Sequence, residues 1–288
     1  VAQGISQTDQ SVTRAVAENL AARRTSVCRM AQAAHCDVLP VDLGIAGAPV
    51  PGVRDCRIAA GTADFTKGPA MTHAEAVEAI GRGIALTRQL AAEGYGLVAT
   101  GEMGIGNTTT SAAVLAALTG LPVEAVTGRG GGMTDAGFLR KKQVITDALD
   151  LHRPDKNDVL DVLSKVGGLD IAAMCGVFLG AARQRLPVVI DGFISVVAAL
   201  CAGRLCPAAE DYFFASHASH EVGYAAAVKE LGLEPWLHLG MRLGEGSGCP
   251  IAFRVMEAAC AAAEGMATFA GAAIDDSYLD DIRGKDCF

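Results

Sequence analysis

Two glutamates stand out as candidates for chemistry, Glu102 in Gly101-Glu102-Met103 and Glu245 in Gly244-Glu245-Gly246. A carboxylate without bulky neighbours can meet a ligand directly. Partial desolvation then raises its pKa toward that of a working base. The plainer reading of each is a loop glutamate that caps a backbone N–H. Three Gly-rich segments accompany them, at residues 101–110, 128–132 and 167–168. Glycine lets the chain approach a ligand closely, and free N–H groups at the next helix start can grip a phosphate. Any one of the three can instead be a tight turn. Gly104-Ile105-Gly106 lacks the third glycine of a dinucleotide fingerprint, and no Gly-Lys-Ser/Thr run completes a P-loop. His217 and His220, three apart beside Glu221, form the pattern of a metallohydrolase. Ser219 reads as a helix cap, however, which places His217 outside the helix.

These groups need elements to hold them. A helix is predicted over residues 8–35. A strand follows over 38–43, with Pro40 marking it as near an edge. Thr72-His73-Ala74-Glu75 is a capping-box pattern that opens a helix to about Glu93. A strand over 95–100 runs into the Glu102 loop, then into an Ala-rich helix stopped at Gly120. The loop at 128–132 precedes a helix that carries Lys141. Short helices follow over 157–166 and 170–183. A strand at 186–190 ends at Asp191. A helix over 193–202 stops at Gly203, a last strand covers 212–216, and the final helix covers 249–270. The alternation and the short, non-alternating apolar strands argue for an α/β fold. The expectation is a single domain over 1–288, with a largely parallel, Rossmann-like sheet, helices on both faces, and a small helical appendage from the termini.

Composition narrows the classes. The chain has 288 residues, 51% hydrophobic and 19% charged, enough for a well-filled core. Its net charge of −8 and 5% aromatic content speak against a nucleic-acid binder. No apolar run reaches the roughly 18–20 residues of a membrane span. The nine cysteines contain no Cys-x-x-Cys pair, which predicts reduced, buried thiols in a cytoplasmic protein.

Five stretches together carry a resemblance. They are Gly101-Glu102-Met103-Gly104-Ile105-Gly106-Asn107-Thr108-Thr109, Ser164-Lys165-Val166-Gly167-Gly168-Leu169-Asp170, Gly180-Ala181-Ala182-Arg183, Leu186-Pro187-Val188-Val189-Ile190-Asp191-Gly192-Phe193 and Met241-Arg242-Leu243-Gly244-Glu245-Gly246-Ser247-Gly248. In content, order and spacing the chain resembles the nicotinate-nucleotide:dimethylbenzimidazole phosphoribosyltransferases of cobalamin lower-ligand synthesis. The resemblance covers essentially the whole chain, and its last stretch is highly specific.

The resemblance implies that 5,6-dimethylbenzimidazole attacks the anomeric carbon of nicotinate mononucleotide, giving α-ribazole 5′-phosphate and nicotinate with inversion. It implies Glu245 as the base and Glu102 as a second active-site carboxylate. Lys141 would contact the phosphate. Gly104, Gly106, Asn107, Gly167 and Gly168 would line the nucleotide, and Leu243, Gly244 and Gly246 would be further substrate-binding positions. No metal or redox cofactor is implied, and the oligomer would be a homodimer.

Members of the family begin with a further segment carrying Lys-Pro-Pro-Gly-Ser-Leu-Gly and Ala-Asp-His-Gly. This chain opens after that point, at Val1-Ala2-Gln3-Gly4-Ile5-Ser6. The expectation is that an early strand and part of the base pocket are missing, so that nucleotide recognition outlasts turnover of the base. A nucleotide-binding protein with impaired catalysis is the non-enzyme alternative.

Overall fold

The computed structural model describes residues 1–280, 282 and 283. The chain divides into two compact units, Val1–Ala252 and a shorter one from Phe253 onward.

The first unit is mixed α/β. It opens with α1 (Ser11–Ala21) and α2 (Ser26–Ala33), where one long helix is expected from sequence. The break is at Arg23, whose backbone is left-handed (φ 57°). The Arg24 N–H then closes back on the Asn19 carbonyl at 2.9 Å. Thr25, extended, starts α2 afresh. Strand β1 is only Val41–Asp42 and pairs in parallel with β2 (Arg54–Asp55) as a sheet of its own. Pro40, which has no N–H to give a ladder, precedes β1, and its carbonyl accepts from Arg54 at 3.0 Å.

Helix α3 (His73–Ala92) starts with the capping box read from sequence. Thr72 accepts from the Glu75 N–H at 3.1 Å, and Glu75 accepts from the Thr72 N–H at 2.7 Å. Strand β3 (Val98–Ala99) leads to α4 (Asn107–Thr119), which Gly120 ends at φ 72°. A one-turn α5 (Val123–Val126) follows. Then come α6 (Asp135–His152), capped by Thr134, and α7 (Val159–Val166), capped by Asp158. Helix α8 (Leu169–Gln184) packs along α3, and small residues let the two backbones touch. A Cβ on Gly176 would overlap the Ile80 carbonyl, and one on Gly83 would overlap that of Ala173.

Strand β4 (Val188–Ile190) is wholly buried. Helix α9 (Phe193–Leu205) is buried on every side from Phe193 to Gly203, as its nearly unbroken apolar sequence requires. The helix runs through Gly203 instead of stopping there. That glycine makes room for Glu210 of the following 3₁₀ turn, Pro207–Tyr212. Strand β5 (Phe213–Ala215) completes a three-stranded, all-parallel sheet ordered β3-β4-β5, with Val98 beside Val188 and Val188 beside Phe213. Helix α10 (Val222–Glu230) is entered from Glu221. The predicted cap, Ser219, reaches the Glu221 N–H only at 3.5 Å.

Helix α11 (Cys249–Gly265) opens within the first unit and ends at Gly265 instead of near 270. In the second unit Arg283 bonds Asp276 at 2.6 Å and Asp280 at 3.3 Å. Val255, Met266, Phe269, Ile274 and Tyr278 of that unit are exposed. Among the described residues, no helix is long and apolar enough to cross a membrane. Cys28, Cys175, Cys201 and Cys249 are buried free thiols, Cys36 and Cys56 are half-buried, and Cys206 and Cys260 are exposed, against the expectation of burial. Cys287 lies outside the described residues.

Candidate active site

The carboxyl ends of β3 and β4 point at one place, where ligands bind in sheets of this kind. Glu102 leaves the end of β3 and Asp191 the end of β4. The loop that precedes α11 crosses over both. Its Glu245 N–H donates to the Glu102 carbonyl at 3.1 Å. Its Gly246 and Gly248 N–H groups donate to the two Asp191 oxygens at 3.1 and 2.8 Å. One buried carboxylate therefore pins both ends of Gly246-Ser247-Gly248.

The loop turns through three successive left-handed residues, Gly244 at φ 90°, Glu245 at φ 62° and Gly246 at φ 85°. Glycine adopts that region freely; for Glu245 it costs roughly 1 kcal/mol or more. The surroundings hold it there. A Cβ on Gly101 would lie 2.5–2.6 Å from backbone atoms of Glu245 and Gly246, so the loop rests directly on the β3 end. The Glu245 carboxylate in turn accepts from the Val27 N–H at 3.2 Å. Val27 is in the first turn of α2, a position that favours a negative charge. The helix break at Arg23, invisible to helical periodicity, creates that helix start.

Beside Glu245 lies a second acidic pair. Asn107, at the first position of α4, uses its side-chain amide to hydrogen-bond Glu102 and, at 3.0 Å, Asp170 at the start of α8. Gly104 and Gly168 leave space for these carboxyls: a Cβ on Gly168 would come within 2.5 Å of Asp170 Oδ1. Burial pushes the Glu102 carboxyl up to about 8. The Asn107 hydrogen bond opposes this, and the Asp170, Asp191 and Glu245 carboxylates add to it. Burial likewise raises Asp170, against its hydrogen bonds from Asn107 and the Ile171 N–H. It takes Asp191 to about 7, against the bonds from Gly248 and Gly246. The result is a cluster of buried acids in which Glu102 and Asp191 hold their protons to near-neutral pH.

The residues singled out from sequence gather unequally. Glu102, Gly104, Asn107, Gly168, Gly244, Glu245 and Gly246 form the cluster above. Gly106 caps α4 at φ 94°. Lys141 is fully buried next to that first turn, donating to Thr108 Oγ1 at 3.0 Å and the Gly128 carbonyl at 2.8 Å. Gly167 packs on the Leu163 backbone at the α7–α8 joint. Leu243 is exposed.

His217 and His220 do not act as a pair. His217 is buried, hydrogen-bonded to Ser216 at 3.0 Å with Asp191 3.8 Å away, whereas His220 is exposed. Among the described residues, no group of three or more His, Cys, Asp or Glu is arranged to hold a metal. Asp170 and Asp191 lie in the matching stretches, yet residue type and spacing alone do not mark them. Their helix-start and strand-end positions were the available signal.

Strand-end carboxylates, a loop pinned over them and a Gly-rich helix start come together in this α/β fold. The profile of the phosphoribosyltransferase family matches residues 1–274, and the chain belongs to that family. A nicotinate-nucleotide–dimethylbenzimidazole phosphoribosyltransferase of Clostridium perfringens is 48% identical over 287 residues, 99% of this chain and 80% of its own length. One of Desulforamulus reducens is 48% identical over 276 residues, 95% of this chain and 79% of its own. The crystal structure of CobT from Thermus thermophilus superposes with a TM-score of 0.91 at 40% identity, covering 96% of this chain and 83% of that one.

Proposed function

We propose that this chain transfers the phosphoribosyl group of nicotinate mononucleotide to 5,6-dimethylbenzimidazole, giving α-ribazole 5′-phosphate and nicotinate, in cobalamin lower-ligand synthesis. The observation that carries the reading is the pinned Glu245 loop over the Glu102–Asn107–Asp170 cluster, in a chain 48% identical to enzymes of that name.

Glu245 is the base. As one ring nitrogen of the benzimidazole attacks the anomeric carbon, the proton on the other becomes acidic and passes to the Glu245 carboxylate. The glycosidic bond breaks with its electron pair going to the pyridine nitrogen, so nicotinate leaves without needing a proton. Attack opposite to departure inverts the anomeric carbon. Positive charge develops on the ribose ring in this step, and the oxygen atoms of the carboxyl cluster favour it over the ground state. Glu102, held by Asn107, is placed to meet the ribose hydroxyls. The phosphate docks at the first turn of α4, at Gly104 and Gly106, with Lys141 behind it; Gly167 and Gly168 complete the nucleotide wall. Leu243, Gly244 and Gly246 line the base side. No metal enters this scheme.

Residues 1–288 act as one phosphoribosyltransferase domain of Rossmann-like character with helices on both sheet faces. The family match over residues 1–274 and the packing of α8 and α9 on β4 support this. The active form is a cytoplasmic homodimer without nucleic acid. The homodimer is supported by exposed apolar side chains of the second unit, including Met266 and Tyr278.

The deciding experiment is mass-spectrometric detection of α-ribazole 5′-phosphate after incubation with both substrates. Product that forms with wild-type protein but not with Glu245→Gln supports the reading. Absence of product at substrate saturation overturns it.

A further inference from the structure

Lys141 is fully buried and Glu221 half-buried, and they meet on the same glycine. The Lys141 ammonium donates to Thr108 Oγ1 and to the Gly128 carbonyl, which accounts for two of its three protons. The Glu221 carboxylate lies against the Gly128 Cα: a Cβ there would overlap it. Its Oε2 is buried with no hydrogen-bond partner. Glu221 stands at the N-terminal boundary of α10 but does not spend its side chain capping that helix. It turns toward Gly128 instead. A lone buried charge of either sign is costly, and here each compensates the other.

We propose that Glu221 is a positioning residue for phosphoribosyl transfer: as counter-ion beside Gly128, it holds Lys141 cationic and aimed at the first turn of α4, where the nucleotide phosphate docks. The proposal rests on the phosphate site of the preceding section. Burial pulls the Lys141 ammonium down to about 8, and Glu221 is the charge that opposes this. The neighbouring elements offer no substitute. From α4 comes the neutral Thr108. From the loop after α5 come the Gly128 carbonyl and Arg129, which bonds Asp135 at 2.5 Å at the surface. On α7, Asp161 and Lys165 pair with each other at 2.8 Å. Without Glu221, Lys141 would lose its proton near neutral pH and phosphate affinity would fall with it.

The test is Glu221→Gln in the full chain. KM for nicotinate mononucleotide is measured from pH 6.5 to 8.5 at saturating benzimidazole. The Lys141 titration is followed through its ¹³Cε resonance, assigned with Lys141→Arg. The expected result is a KM within about twofold of wild type at pH 6.5 and about tenfold higher at pH 8.5, with the Lys141 midpoint lowered by about one unit. Glu221→Asp, which keeps the charge, should restore most of the affinity. A KM ratio independent of pH together with an unmoved midpoint overturns the proposal. A lowered midpoint with a flat KM upholds the pair and overturns the phosphate site instead. If Glu221→Gln is too unstable to assay, Lys141→Met/Glu221→Gln should recover thermal stability relative to Glu221→Gln alone, because it removes the stranded charge. No recovery overturns the pairing.

Discussion

Glu245 combines a left-handed backbone, a helix-start N–H on its carboxylate and glycines on both sides. In the proposed role, each serves a base that must meet a flat heteroaromatic ring without steric hindrance. Glu245→Gln keeps the shape and the Val27 contact but cannot take a proton. We expect kcat to fall by about 10²–10⁴-fold with the KM for nicotinate mononucleotide nearly unchanged. Steady-state kinetics with a near-native circular dichroism spectrum check this; near-wild-type turnover would remove Glu245 from the base role. Lys141→Ala probes a different substrate. It should raise the KM for the nucleotide far more than that for the base, and equal effects on both would count against a phosphate role.

At the scale of elements, the site is made by three segments leaning on each other. The β3 end carries Glu102, the β4 end carries Asp191, and the pinned loop carries Glu245 above them. Gly101 is the contact point. Gly101→Ala would push a methyl against backbone atoms 2.5–2.6 Å away, which cannot swing aside as a side-chain tip would. The loop would lift and Glu245 would shift relative to the substrate. We expect kcat/KM to drop by at least about tenfold, as misplacing a reacting group by about an ångström does. Thermal stability should fall more modestly, because the core helices α3, α8 and α9 are untouched. Wild-type kcat/KM in this variant would mean that the loop is not set by β3. Sequence periodicity found α3, α4 and α8 because their capping and apolar patterns are local. It missed the α1–α2 break because Arg23 and Arg24 are good helix formers, and only the closure at Arg23 and the new start at Thr25 separate the two helices.

The whole molecule carries its buried acids as a pH dependence of folding. Glu102 and Asp191 have folded-state values near 8 and 7, well above their ordinary 4.5 and 3.8. Their folded forms hold protons that the unfolded chain has already released. The stability they confer is therefore present at low pH and lost as pH rises through 7 toward 8. Lys141 acts oppositely, but relief of its buried charge begins only above about 8. His217, lowered from 6.5 by burial, acts below that value. Between pH 6.5 and 8 the carboxyls dominate. We expect the urea midpoint of the ligand-free protein to decrease across that window, and to decrease less in Glu102→Gln. A midpoint that is flat or rises would contradict the burial of these acids.

Much was written locally in the chain. The Thr72–Glu75 capping box, Gly120 at a helix end, the apolar run of α9 and the Gly-Glu-Gly setting of Glu245 all depend on residues a few positions apart, so neighbouring sequence determined them. The strand lengths, the order β3-β4-β5 and the separate β1-β2 sheet depended on partners well beyond the reach of local patterning, Val98 pairing with Val188 and Val188 with Phe213. The same holds for the site. The sequence named Glu102, Glu245 and Lys141 as charged residues in glycine-rich or helical settings. Only the tertiary structure decided that Asp191 pins the Glu245 loop, that Asn107 joins Glu102 to Asp170, and that Lys141 is buried opposite Glu221. Hydrogen bonds and desolvation act through space, and the distances that set them exist only once the chain has closed on itself.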